Sequence, residues 1–228
     1  GVHFLSHKKQ QVTRRFYHDV SDKEGIRSNS VYSLLVDDRG AVWVGHFQAG
    51  LDYSLYQNGL FRTYAYPPLF NSANLSIRSF ISRGQEKVIG SRDGLFYINE
   101  ATGMVKSFVK PVLTSDLILT ISFYQGEYYI GTYGGGMMVL NPETLSLKYF
   151  SQSDTELFQK GHIFCVKPDT KGNLWIGTSQ GLFNYNGQTK QIKHFTSANS
   201  QLLEGNVYEV SFDSTGKGWI ATETGMCI

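Results

Sequence analysis

The sequence predicts an all-β chain, a β-propeller built from about five four-stranded repeats of ~44 residues, and three observations carry that expectation. First, one motif recurs. Residues 169–182 read DTKGNLWIGTSQGL, with Asp169, Gly172, Trp175 and Gly177. Residues 37–51 keep its skeleton as Asp37, Gly40, Trp43 and Gly45, and residues 213–226 keep it as Asp213, Gly216 and Trp219. The Asp-to-Gly step is three residues and the Asp-to-Trp step six in every copy, so all 3 tryptophans share one slot. Second, weaker copies around Gly90 and Gly131 fill the gap, and the steps from Gly45 through Gly90, Gly131 and Gly177 to Ala221 are 45, 41, 46 and 44 residues. Third, each period divides into four short apolar runs separated by turn residues, and no stretch supports a helix of several turns. A small sheet of this kind buries its faces only against neighbours, so the repeats must stack.

Taken in order, residues 1–17 form a partial blade. Gly1-Val2 match Gly50-Leu51, the alternating VHFLSH reads as a strand, and 12–17 reads as a second. Whole repeats occupy about 28–64, 75–108, 117–150 and 163–195, and a second partial blade covers 207–228. In the first repeat, Val31–Val36 is nearly all apolar and suits a strand buried on both faces. The Asp37–Gly40 turn follows, in which Asp bonds its own backbone. Ala41 to Gly45 is the second strand. The third, 51–56, alternates Leu51, Tyr53 and Leu55 with Asp52, Ser54 and Tyr56, and Asn58-Gly59 signals a hairpin into the fourth, 60–64. The other repeats give strands at 75–82, 86–90, Leu95–Asn99 and Met104–Phe108, then 117–123, 127–131, 137–141 and 147–150. The next set is 163–167, 174–177, 182–185 and Gln191–Phe195, followed by Val207–Phe212, Gly218–Thr222 and 225–228. Phe16, Tyr64, Phe108, Phe150 and Phe195 recur at the end of the fourth strand, which is core patterning. The whole chain reads as a single propeller region. A segment of a larger, seven-bladed propeller is expected, with a closed five-bladed ring as the alternative.

Composition narrows the function. A net charge of +2 with dispersed basic residues gives no footprint for nucleic acid. No apolar run approaches a membrane span. Cys165 and Cys227 fall in different slots, so they read as small buried residues and not as a disulfide or a metal pair.

The succession of an apolar strand, Asp-x-x-Gly, Leu/Val-Trp-Ile/Val-Gly-Thr and Gly-Leu, as in VKPDTKGNLWIGTSQGLFNY at 166–185, resembles the two-component regulator propeller repeat. The match is strongest in the first, fourth and last units; the second and third lack the Asp and the Trp. The resemblance implies the extracytoplasmic, periplasmic sensor region of a bacterial hybrid two-component system. There, propellers precede a small β-sandwich, a membrane span and a histidine kinase, and such sensors detect glycan fragments and regulate polysaccharide utilisation. It implies an oligosaccharide ligand, a homodimeric receptor, no cofactor, no catalysis by this region, and membrane attachment only through segments outside this chain.

Candidate ligand residues lie in the loops joining strands two and three, because these are free to differ between units. Phe47, Gln48, Arg92, Tyr133 and Gln180 are the candidates, since a sugar packs its C–H faces on aromatic rings and its hydroxyls need donors and acceptors. The plain alternative for each is a solvated turn residue. Connectors 65–74, with Tyr66 and Phe70, and 151–162, with Asp154 and Glu156, lie on the same face. The repeated Asp37, Asp169 and Asp213 mark structural turns and not a catalytic set. GTYGGG at 131–136 has no following Gly-Lys-Ser/Thr and reads as a glycine-rich strand turn. No metal set is expected; His3 and His7 share a strand face but suit a surface better. Two further readings stand beside the sensor: a propeller lyase with His46 and His162 as acid/base candidates, and a purely structural or dimerising propeller.

Overall fold

The structure, a computed structural model, describes residues 1–6, 8–22, 24–55, 60–64, 75–151 and 156–228. The expected Asn58-Gly59 hairpin turn lies outside the described residues, as do His7, Tyr66, Phe70 and Asp154. The chain is all-β, with strands in the order the repeat predicts. A hairpin of β1 (Val2–Ser6) and β2 (Gln11–Phe16) is followed by four four-stranded antiparallel meanders. These are β3 (Val31–Val36), β4 (Ala41–His46), β5 (Leu51–Leu55) and β6 (Arg62–Thr63), then β7 (Ile77–Arg83), β8 (Glu86–Ser91), β9 (Leu95–Asn99) and β10 (Met104–Phe108). The third comprises β11 (Ile118–Tyr124), β12 (Glu127–Thr132), β13 (Met137–Leu140) and β14 (Leu147–Tyr149). The fourth comprises β15 (Ile163–Pro168), β16 (Asn173–Thr178), β17 (Gly181–Asn186) and β18 (Gln191–Phe195). A three-stranded sheet, β19 (Val207–Phe212), β20 (Gly218–Thr222) and β21 (Gly225–Cys227), completes the series. These sheets are the blades of a β-propeller. A single helical turn, α1 (Leu157–Lys160), interrupts the 151–162 connector, where Leu157 and Phe158 are buried.

The chain divides into two compact units, Gly1–Ser107 and Phe108–Ile228. In the first, Trp43, Leu51, Ile77, Ile89 and Ile98 pack between the β3–β6 and β7–β10 sheets, and Tyr53, Tyr64 and Phe80 crowd the Trp43 ring at 4.9–5.1 Å. In the second, Tyr129, Met137, Phe150, Phe158, Ile163, Ile176 and Tyr185 form the equivalent layer. Burial of aromatic and branched side chains in each layer supplies the stability that one blade alone lacks.

Packing explains the repeated glycine. A Cβ on Gly177 would lie 2.7 Å from Val207 O, and one on Gly131 would lie 2.9 Å from Ile163 O. The first strand of the next blade crosses directly over each glycine, leaving no room for a side chain. The repeated Asp is explained by hydrogen bonds. Asp37 Oδ1 accepts from the Arg39 and Ala41 amides at 3.0 and 2.8 Å, while Oδ2 accepts from the Trp43 indole at 3.0 Å. Asp169 with Trp175 and Asp213 with Trp219 repeat the indole bond at 3.0 and 3.5 Å.

Two local expectations are corrected, and one burial pattern is added. Val31–Val36 is not buried on both faces, because Tyr32, Leu34 and Val36 face outward at 46%, 58% and 65% exposure. The face bearing Leu35 packs into the layer between the β3–β6 and β7–β10 sheets, and the opposite face carries the exposed side chains. Conversely, the polar positions Asp52 and Ser54 of β5 are buried, because β5 is an inner strand with both faces covered. The fourth strand of the first repeat shrinks to Arg62–Thr63. Phe61 leaves the ladder, its amide bonding Glu24 O at 2.8 Å while its ring packs with Ile26, Val42 and Val44.

Candidate functional site

Each blade places one side chain by the same device. The pairing of its first two strands slips by one residue, from Val31↔His46 to Ser33↔Gly45 and correspondingly in the other four sheets. The extra residue is Tyr32, Arg78, Leu119, Phe164 or Tyr208. A bulge leaves its residue out of the ladder and re-aims its side chain. These positions, together with the turns between second and third strands, form the variable surface of the blades.

In the second unit this surface is aromatic. Tyr133, in the β12–β13 turn, stacks on His162 with centroids 4.0 Å apart and planes at 29°. His162 lies 6.1 Å from Phe164, and Phe164 meets Tyr208 edge-on at 5.0 Å. Tyr133 and Tyr208 are 51% and 44% exposed, so the row ends in two accessible rings. Its polar fittings are specific. Asn206 Nδ2 donates to the Tyr208 hydroxyl and to Glu223, both at 3.1 Å, and His162 Nδ1 is shielded with no hydrogen-bond partner among the described residues. A cleft of about 350 Å³, lined by Gln180, Thr196, Leu202, Glu204 and Asn206, opens beside Asn206. His194, stacked on Phe183, donates from Nε2 to Gln180 O at 2.7 Å, since a carbonyl only accepts.

In the first unit the surface is aromatic and basic. Tyr32 meets Phe47 at 5.2 Å, and the Arg78 guanidinium lies 5.1 Å from the Tyr32 ring centroid. Ser76 ties the neighbouring turns together: its hydroxyl accepts from Gln48 N at 3.2 Å and its carbonyl from Arg92 N at 3.1 Å. Gln48 adopts φ +53°, a left-handed conformation uncommon for a side-chain-bearing residue.

Thus Phe47, Gln48 and Arg92 are gathered at one end of the first unit. Tyr133 heads the aromatic row of the second, and Gln180 lines the adjacent cleft. Glu156 instead forms an exposed ion pair with Lys160 at 3.1 Å. His3 bonds the Tyr17 hydroxyl at 2.8 Å. Sequence reasoning missed Tyr32, Arg78, Phe164 and Tyr208, although each lies 12 or 13 residues before its repeat glycine, or before Ala221 in the last unit. Their slot was legible; the bulge that aims them was not.

His46 acquires a partner that the sequence did not suggest. Its Nε2 lies 2.9 Å from Asp52 Oδ2, with both side chains essentially fully buried. Asp52 also accepts from Arg27 N at 2.7 Å and Thr63 Oγ1 at 3.4 Å. In the other blades the His46 slot holds Ser91, Thr132, Thr178 or Thr222, whose hydroxyl closes the following turn onto Gly94, Gly136, Gly181 or Gly225 O. The Asp52 slot there holds Phe96, Met138, Phe183 or Cys227. His46 and Asp52 are therefore a joint departure from the repeat that locks a turn and is buried away from solvent.

The repeated aspartates are all shifted downward. Burial alone would raise Asp37 and Asp169, but hydrogen bonds outweigh it, from the Trp43 indole and backbone amides at Asp37 and from the Asn173 side chain, backbone amides and the Trp175 indole at Asp169, and both carboxyls lie below the usual range. Asp213, bonded first by the Thr215 hydroxyl, falls to about 2. They are acceptors locked in turns.

Comparison with known proteins bears on the repeat. Residues 25–48 and 158–180 match the family model described as Two component regulator propeller. Two of the chain's blades, the first and the fourth whole repeats, match that model. Both matched stretches run through the first two strands of a blade, including the Asp–Trp turn and the glycine, and so contain the bulge residues Tyr32 and Phe164. The chain is similar, at 26% identity and a TM-score of 0.69, to the extracellular domain of a protein described as the hybrid two component system BT3049 from B. thetaiotaomicron; 92% of this chain aligns, but only 29% of that one. This chain therefore spans under a third of that relative. PorZ, a surface component of the type-IX secretion system of Porphyromonas gingivalis, shares the fold at 16% identity and a TM-score of 0.72 over 95% of this chain and 34% of its own. A Bacteroides caccae protein of unknown function shares it at 9% identity and a TM-score of 0.62, over 96% and 78%. No curated protein matches the sequence.

Proposed function

We propose that this chain is part of the ligand-sensing region of a bacterial two-component signalling receptor, and that it binds glycan-derived oligosaccharides on the aromatic row of its second unit. The observation that carries the reading is the Tyr133–His162 stack, continued by Phe164 and Tyr208 and flanked by the Gln180–Asn206 cleft. Flat rings offer the C–H faces of a pyranose a surface at little entropic cost. Asn206, Glu223, Gln180 and the tyrosine hydroxyls supply in-plane partners for its hydroxyls. The likeness to the BT3049 extracellular domain supports an extracytoplasmic placement in a two-component system; the proposal extends this to a periplasmic, homodimeric receptor ahead of a kinase that regulates polysaccharide utilisation. Ligand binding would act by stabilising one blade packing over another and so biasing the attached kinase. The burial of His46 on Asp52 argues against the lyase alternative, since an acid/base group must reach its substrate.

The test is a thermal-shift and calorimetric screen of the purified chain against neutral and acidic oligosaccharides, since a ligand of the native state raises its apparent stability. A shift with one sugar class, reduced at least tenfold in affinity by Tyr133→Ala and unaccompanied by turnover, supports the reading. A folded chain that binds none of the oligosaccharides returns the weight to a structural or dimerising propeller.

A further inference from the structure

The first unit carries a second, chemically different surface. We propose that Arg78, held over Tyr32 beside Phe47, binds the carboxylate of an acidic oligosaccharide; the proposal rests on the oligosaccharide-sensing reading and narrows it to uronate-type sugars at this site.

The bulge in β7 takes Arg78 out of the ladder, and its planar guanidinium lies over the Tyr32 ring. Its Nε is shielded from water and has no acceptor among the described residues, and no described carboxylate pairs with Arg27, Arg78 or Arg92. The buried acids of this unit are already engaged, Asp52 by His46, Arg27 N and Thr63 and Asp37 by the Arg39 and Ala41 amides and the Trp43 indole. Segments 56–59 and 65–74 contain no Asp or Glu by sequence. A half-buried guanidinium without a counter-charge is costly, and a planar carboxylate is the group its donors match best. Phe47, adjacent to Tyr32, then offers a ring for the sugar that bears the carboxylate. Arg92 and the Gln48 turn, both tied to Ser76, flank the site, and Arg92 is exposed at its rim. The second unit's surface has the opposite balance, with Glu204, Glu209 and Glu223 around it and Lys167 paired to Glu209 at 3.2 Å. An anionic sugar is repelled there and attracted at Arg78.

The test is calorimetric titration of the full chain with trigalacturonate, its fully methyl-esterified form, neutral cellotriose and sodium acetate. The expected result is binding of trigalacturonate at least tenfold tighter than of its ester, weakening with salt and lost in Arg78→Met. Because Arg78→Met could impair folding, Arg92→Gln and Phe47→Ala, at the rim, are titrated alongside, with at least a threefold loss expected in each. Equal binding of acid and ester, or an acid preference that survives in a folded Arg78→Met chain, overturns the proposal. So does acetate binding as tightly as trigalacturonate, which would make this a bare anion site. Binding of cellotriose without trigalacturonate overturns it while leaving the sensing reading intact; binding of none overturns both.

Discussion

The Trp43 indole donates a hydrogen bond to Asp37 Oδ2 at 3.0 Å, closing a loop of six residues inside the blade. The other carboxylate oxygen receives two backbone amides, so one side chain satisfies the turn and anchors the largest ring of the layer. Asp and Trp therefore occur together in three units and are missing together in two. Asp37→Ala orphans a buried indole N–H and two amides and is expected to cost about 2–4 kcal/mol. Urea unfolding of the variant measures this.

These aspartates also set the acid limit. Their folded pKa values lie below the ordinary 3.8, reaching about 2 at Asp213. A depressed folded pKa gives stability that is complete above the unfolded value and is lost as pH falls through the folded one. The urea midpoint should be flat above roughly pH 5 and fall progressively below about pH 4. Asp37→Asn should shallow that fall.

Gly177 lies under Val207 O with 2.7 Å available to a Cβ. Gly177→Ala must push the β15–β18 and β19–β21 sheets apart, at a cost of about 1–3 kcal/mol. A denaturation midpoint equal to that of the unmodified chain would contradict the packing account.

His46 and Asp52 form a buried pair, and removing one member strands the other. Asp52→Ala is expected to lose about 3–5 kcal/mol, since it leaves His46 without a partner on either ring nitrogen and frees Arg27 N and Thr63. Thermal unfolding of the variant is the measurement.

Burial pushes the Cys165 thiol up to about 12, while Cys227 is only half-buried and Cys165 is fully packed against Val207 and Leu182. A thiolate-selective reagent at pH 8 should modify one thiol in the native chain and two in denaturant. Rapid modification of both in the native state would show that the β15–β19 packing opens.

The repeat, its period and most strand positions were legible because blades are built from local signals: an Asp–Gly turn, a glycine, alternating apolar residues. Phe47, Gln48, Arg92 and Gln180 could be placed in the right turns for the same reason. Tyr32, Arg78, Phe164 and Tyr208 could not be singled out, since a one-residue slip in pairing leaves no compositional mark. The outward row of Val31–Val36 is not legible in the sequence, because apolarity does not say which face of a strand a neighbouring sheet covers.

By itself, then, the sequence determined the propeller blades, their order and the identity of the turn aspartates, since each depends on contacts between residues a few positions apart. Only the tertiary structure decided why Gly131 and Gly177 are glycine, why His46 answers to Asp52, and which rings stand together as Tyr133, His162, Phe164 and Tyr208. Those relationships span strands or neighbouring blades, and they exist only once one sheet has packed against the next.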